Sequence, residues 1–134
     1  FDKYEKTQKA DAALSEIAGA KQTERDAMVE NIRRMKDEMV VLSEGADERV
    51  KKQGDIDDAI TSLQDFDEET RKNLKEIRDQ NVKEIFDDLT AAIEAYGEKN
   101  KYDFIYTDRA LIYKNPKLDI TEAVLTDLNK NYKS

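Results

Sequence analysis

The stretch from Met28 to Leu42, MVENIRRMKDEMVVL, decides the fold because its apolar residues recur at helical intervals. The steps alternate between four and three residues, which is the spacing of a narrow seam that faces a partner helix. The whole set is Leu14, Ala18, Met28, Ile32, Met35, Met39 and Leu42, interrupted by the polar residues Lys21 and Arg25. The pattern predicts a first long helix from about Asp2 to Leu42.

A second apolar set with helical spacing follows and predicts a second long helix. Its members are Ile56, Ile60, Leu63, Leu74, Ile77, Ile85, Leu89 and Tyr96. Polar residues interrupt this set at Asp67, Thr70 and Asn81, so the seam is weak by the standards of a coiled coil. Only four glycines and one proline occur in the chain, which argues against an all-β fold.

The chain is predicted to reverse direction between about residues 43 and 56, where the apolar rhythm loses phase. Gly45 and Gly54 lie in this tip. A turn here places Leu42 opposite Ile56 in an antiparallel hairpin. Asp55 is then expected to cap the returning helix.

After Gly97, which signals the end of the second helix, two short strands are predicted at residues 103–107 and 110–114. Both are rich in the β-branched and aromatic residues that suit a pleated surface, and Asp108-Arg109 joins them as a hairpin.

Asn115-Pro116 signals a turn beyond the predicted hairpin. The Asp-x-x-Glu spacing of Asp119 and Glu122 then predicts a capping box that opens a helix running to about Asn131.

These elements predict a mainly α protein with a helical hairpin over residues 1–100 and a small β-containing head over residues 101–134. So small a head buries too little apolar area to stand alone, and without Cys or His the remaining route to stability is oligomerisation. The residues expected to pack the head or an oligomer interface are Phe104, Tyr106, Leu111, Tyr113, Val124 and Leu128.

Composition argues against catalysis. The absence of Cys and His removes thiolate chemistry, the usual general base and the commonest transition-metal ligand. No catalytic constellation emerges and no acidic cluster has the pattern of a calcium loop, so we expect neither an enzyme nor a cofactor or metal.

The charge of the chain limits its partners. Its net charge is -8, and the first 100 residues carry -9 while residues 101–134 carry +1. Nucleic acid is therefore not an expected partner, because duplex affinity rests on Lys and Arg. No apolar run is long enough to span a bilayer, and residues 43–58 carry -3, so neither membrane insertion nor adherence to anionic membranes is expected.

The methionine-rich stripe of the first helix has two possible roles. The residues considered are Met28, Ile32, Met35, Met39, Val40 and Val41. They could pack the seam, or they could offer an adaptable apolar surface to client proteins. Both roles can coexist along one helix.

The two ends of the chain resemble the Skp (OmpH-like) family of periplasmic chaperones. The resemblance rests on residues 102–106, on Ala110 to Tyr113, on the Asn115 to Thr121 run with its Asp-Ile-Thr helix start, and on the Val-Leu-x-x-Leu ending. The opening Phe1-Asp2-Lys3-Tyr4 is similar to the segment that follows the first strand in members of the family. That first strand is expected upstream of Phe1.

The resemblance implies a homotrimer, formed when the first strand is present, whose heads join into a small β-barrel with three coiled-coil tentacles around a cavity. Unfolded outer-membrane β-barrel proteins would be held there without ATP, in the periplasm. The absence of a phosphate-binding loop agrees with ATP independence. The alternative function is a structural or scaffolding coiled-coil protein that binds one defined partner.

Overall fold

A computed structural model describes residues 2–133, and most of this range is helical. Helix α1 spans Glu5–Val40, helix α2 spans Asp47–Lys99 and helix α3 spans Thr121–Lys133. Two short 3₁₀ turns, Asp108–Ala110 and Pro116–Leu118, lie between α2 and α3. The mainly α class and the two long helices predicted from the sequence are confirmed.

Contacts divide the chain into two compact units. The arm unit comprises residues 14–77, and the terminal unit comprises residues 1–13 together with residues 78–134.

In the arm unit, α1 and α2 pack antiparallel along the predicted seam. Ile32 and Ile56 are buried, and the other predicted seam positions of this unit are partly covered, while most residues between them are exposed. The polar interruptions also lie in the seam. Arg25 donates from Nε and Nη2 to the two carboxylate oxygens of Asp67 at 2.8 and 3.1 Å. A polar break in one stripe therefore meets a polar break in the other.

The predicted register and cap of the hairpin are wrong. Helix α2 begins at Asp47, so Asp55 lies inside the helix, where its carboxylate accepts a hydrogen bond from Lys51 rather than capping the N-terminus. The predicted register would place Arg25 opposite Asn73, whereas its partner is Asp67.

The turn is tighter than predicted because only one of its glycines is used for reversal. Gly45 has a φ of 76°, a left-handed conformation that glycine adopts without steric cost. Gly54 continues α2 despite a helix propensity about 1 kcal/mol poorer than that of alanine. The tip is therefore confined to residues 41–46.

In the terminal unit, the start of α1, the end of α2 and helix α3 share one apolar core. Its buried residues are Tyr4, Ile85, Val124 and Leu128. The partly buried residues packed against them include Leu89, Ala92, Ile93, Tyr96, Ile120 and Leu125. Val124 and Leu128, which the sequence predicts to pack the head or an oligomer interface, lie in this core of the single chain.

Helix α2 ends in a Schellman motif. The Tyr102 amide donates to the Gly97 carbonyl at 2.9 Å, and the Lys101 amide donates to the Glu98 carbonyl at 3.2 Å. Lys101 holds the left-handed position with a φ of 58°, and the Tyr102 ring stacks on Tyr96. Gly97, predicted from the sequence to signal the helix end, is buried inside α2. It permits close packing, since a Cβ at this position would lie 3.2 Å from Ile105 Cδ1.

The predicted β-hairpin at residues 103–107 and 110–114 is not formed, and no strand occurs within residues 2–133. Residues 108–110 form a 3₁₀ turn instead. A two-stranded hairpin is marginal without further strands or a covering layer, and Phe104, Tyr106 and Tyr113 are exposed in the single chain. The segment has local contacts instead of strand pairing: Lys114 Nζ contacts carboxylates of Asp108 and Asp119 at 2.8 and 3.0 Å.

The turn and the helix start that follow were predicted correctly in position. Asn115 accepts a hydrogen bond from the Lys117 amide, and Asp119 accepts from the backbone and hydroxyl of Thr121 at 2.9 and 2.5 Å. These bonds, with Lys114, hold the pKa of Asp119 well below its usual range. The reciprocal half of the capping box is replaced, since Glu122 pairs with Lys3 at 3.6 Å.

Asn129 of α3 clamps the start of α1. Its Oδ1 accepts from the Glu5 amide at 2.9 Å, and its Nδ2 donates to the Lys3 carbonyl at 3.3 Å. The first of these bonds satisfies an amide that has no partner within its own helix. One side chain thus fixes the entry of α1 onto α3.

Replacing this clamp is expected to destabilise the protein. Asn129→Ala should cost about 1–2 kcal/mol of unfolding free energy, as loss of a helix-capping side chain typically does. Asn131→Ala on the same helix is the matched control. Asn131 is exposed, and replacing it by Ala raises the helix propensity by the same amount as Asn129→Ala does. Urea denaturation followed by circular dichroism measures both, and equal values would contradict the clamp.

The Thr7 side chain is buried, and its hydroxyl has no hydrogen-bond partner among the described residues. An unpaired buried hydroxyl is unfavourable, so Thr7→Val, which keeps the shape, should raise the unfolding free energy by about 1 kcal/mol. The control is Thr23→Val, since exposed Thr23 only donates to the Gly19 carbonyl and should change stability by less than about 0.5 kcal/mol. Thermal unfolding distinguishes them; lower stability of Thr7→Val would mean that the hydroxyl is paired in solution.

Candidate client-binding surfaces

Of the six predicted client-binding residues, four lie in the seam and two are exposed to solvent. Ile32 is buried and Met28, Met35 and Met39 are partly covered, so the covered parts of these side chains pack the hairpin. Val40 and Val41 are different, because they lie where α1 ends and are largely exposed. The structure therefore places the predicted residues in two environments.

Sequence reasoning missed other exposed apolar residues of the helices. Val50 lies in the first turns of α2, and Val82 and Phe86 lie one helical turn apart further along it. None belongs to the seam set, and isolated apolar residues on a charged helix give no periodic signal. The structure is needed to show that these three side chains lie outside the seam and are exposed.

The connection between α2 and α3 carries the densest exposed apolar surface. Its exposed large side chains are Tyr102, Phe104, Tyr106, Leu111, Ile112, Tyr113 and Leu118. They include all four predicted head-packing residues that do not lie in α3, and Phe104 and Tyr106 stack on each other at 5.9 Å between ring centroids. Large exposed apolar patches mark interaction sites in proteins, so this connection is a candidate interaction surface.

A polar cluster fixes the terminal unit beside its core. The Tyr4 hydroxyl and the Lys6 ammonium both donate to Oδ2 of Asp88 at 2.9 Å. Burial and the Asp88 carboxylate raise the pKa of Tyr4 to about 12. Tyr4 therefore remains a protonated donor, which suits a structural hydrogen bond and not a general base.

An open groove of about 420 Å³ lies next to this cluster. It is lined by Tyr4, Asp88, Ala91, Ala92, Ala95, Leu128, Asn131 and Tyr132. Within residues 2–133 no group of carboxylates could hold a metal ion. The helices between residues 2 and 133 also lack an apolar stretch of the length that a membrane span requires.

Comparison with known proteins identifies a family for this chain. A family model described as "Outer membrane protein (OmpH-like)" matches residues 1–128. No curated protein matches the chain. The family match covers the hairpin, the connection after α2 and most of α3. This protein therefore belongs to the OmpH-like family.

Proposed function

We propose that this protein is an ATP-independent holdase that binds unfolded outer-membrane proteins. The observation that carries the proposal is the match to the OmpH-like family over residues 1–128. Members of this family act as periplasmic chaperones rather than enzymes, so a periplasmic location and a non-catalytic role are part of the same proposal.

The helical hairpin supports a binding mechanism based on many weak contacts. Val40 and Val41 are exposed, and the seam methionines retain partial exposure, so both can meet apolar segments of a client. Flexible methionine side chains adapt to varied apolar surfaces. Several arms around one cavity would raise the effective concentration of each weak site for a tethered client.

The exposed connection between α2 and α3 supports self-assembly, which we propose yields a homotrimer with a β-containing head. Phe104, Tyr106, Leu111 and Tyr113 remain exposed in one chain although their sequence favours strands. Strands contributed by other copies would supply the pairing that an isolated hairpin lacks. In this proposal residues 103–107 and 110–114 become strands on assembly.

The holdase proposal is tested by aggregation of unfolded clients. A urea-unfolded outer-membrane β-barrel protein, diluted into buffer with an excess of this protein, should remain soluble without ATP, as measured by light scattering. The assay should include several unrelated β-barrel clients and one folded protein. Suppression for the unfolded clients supports a holdase. Binding of one folded partner without suppression would instead indicate a scaffolding protein.

The assembly proposal predicts that the exposed connection controls the oligomeric state. Replacing Ile112 and Tyr113 together by Ser should shift the protein towards the monomer, because two large apolar contacts are lost at each interface. Val82→Ser and Phe86→Ser together form the control, since they remove exposed apolar side chains from α2 outside the connection.

Sedimentation velocity at several protein concentrations measures the oligomeric state of both double variants. A parallel circular dichroism series should show a strand signal that increases with association in the unaltered protein. An unchanged oligomer in the Ile112 and Tyr113 variant would contradict the assembly proposal.

A further inference from the structure

The tip of the hairpin presents an apolar surface that the seam leaves uncovered. We define the tip surface as residues 40–50, where Val40, Val41 and Val50 are exposed by 73%, 83% and 65%. Two of these valines belong to the end of α1 and the following turn, and the third belongs to the first turns of α2. Three exposed β-branched side chains therefore lie within eleven consecutive residues that span the turn between the two helices.

The charges around these valines are unbalanced and identify the kind of partner. Residues 40–50 contain three carboxylates, on Glu44, Asp47 and Glu48, and a single cation, Arg49. The three carboxylates have no side-chain hydrogen bond or ion pair within the part of the chain that the structure describes. Arg49 Nη1 instead donates to the Leu42 carbonyl at 2.9 Å.

The cations that flank the tip surface are also engaged. Lys52 Nζ contacts Glu38 at 2.8 Å, and Lys51 Nζ contacts Asp55 at 3.2 Å. These contacts leave the three carboxylates of the tip without a cationic side-chain partner among the described residues, because the cations of the tip are directed to other groups inside the arm unit. Two of these carboxylates lie in the first turn of α2, where only the partial positive charge of the helix end acts on them. An apolar surface with free carboxylates is complementary to a ligand that combines apolar and cationic side chains.

We propose that the tip surface docks segments of unfolded polypeptide in which apolar residues alternate with Lys or Arg. This inference rests on the proposed holdase function and specifies which segments of a client the tip binds. The valines bury apolar side chains of the segment, and Glu44, Asp47 and Glu48 pair with its cations. An anionic segment is repelled by the same carboxylates, so the tip selects clients by charge as well as by hydrophobicity.

Two fluorescent, unstructured peptides test the proposal directly. They share the same apolar residues and differ only in carrying Lys or Glu between them. Fluorescence anisotropy with the full chain should show binding about tenfold tighter for the Lys peptide, and the difference should shrink at high salt because exposed charges are screened. Equal affinity for the two peptides would overturn the proposal.

Matched variants locate the binding surface. Replacing Val40, Val41 and Val50 by Ser should weaken Lys-peptide binding about tenfold, through loss of three apolar contacts. The control variant replaces Val29, Val82 and Phe86 by Ser, because these side chains are exposed elsewhere on α1 and α2. An equal loss in the control, or none in the tip variant, would overturn the assignment.

The charge contribution has its own pair of variants. Glu44→Gln with Glu48→Gln should weaken Lys-peptide binding more than Glu68→Gln with Glu69→Gln, which removes the same charge from an exposed part of α2. Circular dichroism verifies that every variant remains helical. Equal effects would show that only the overall charge of the chain acts, which also contradicts a tip site.

Two further outcomes separate this inference from its alternatives. Flotation with anionic and neutral vesicles should give no recovery of the protein; recovery that requires the three valines, without peptide binding, would make the tip a membrane site and overturn the proposal. The aggregation assay isolates the underlying function. Wild-type suppression without charge preference refutes only the tip inference, whereas absence of any suppression refutes the holdase proposal.

Discussion

A seam between two helices can cover only one stripe of each, and the other features of this protein follow from that constraint. Only six large apolar side chains are buried among the described residues: Tyr4, Ile32, Ile56, Ile85, Val124 and Leu128. Two of them lie in the arm unit and four in the core of the terminal unit. The remaining apolar side chains are partly or fully exposed, which is the state that a client-binding or self-assembling surface requires.

The arm unit shows how a weak seam can still define one register. Arg25 and Asp67 replace apolar residues at facing positions and form a two-point ion pair, and Lys21 lies over the Phe66 ring. A displaced register would leave a guanidinium against apolar or unmatched neighbours, so polar seam residues favour one alignment. The Arg25–Asp67 pair thus adds to the preference for one register, while apolar packing continues along the rest of the seam. The resulting arm unit buries few apolar side chains and exposes many charged ones.

The sequence predicted the helices well because their apolar residues repeat at a regular interval over many turns. It failed at the tip because Gly45 and Gly54 are equivalent as local signals, and only packing determines that Gly45 turns the chain while Gly54 stays helical. The strands from 103 to 114 were predicted from local propensity, but pairing depends on partners beyond a single chain. The Asn129 clamp had no signal at all, since it joins residues far apart in sequence.

Hydrogen exchange of the full chain tests the central claim that the uncovered surfaces are the functional ones. The account predicts that amides at residues 103–114 gain protection as protein concentration rises, and that amides of the tip around Val41 gain protection only when an unfolded β-barrel client is added. Helical amides near Ile32 and Ile56 should be protected throughout. Rapid exchange at residues 103–114 at every concentration, in a protein that sedimentation shows to be assembled, would contradict the account.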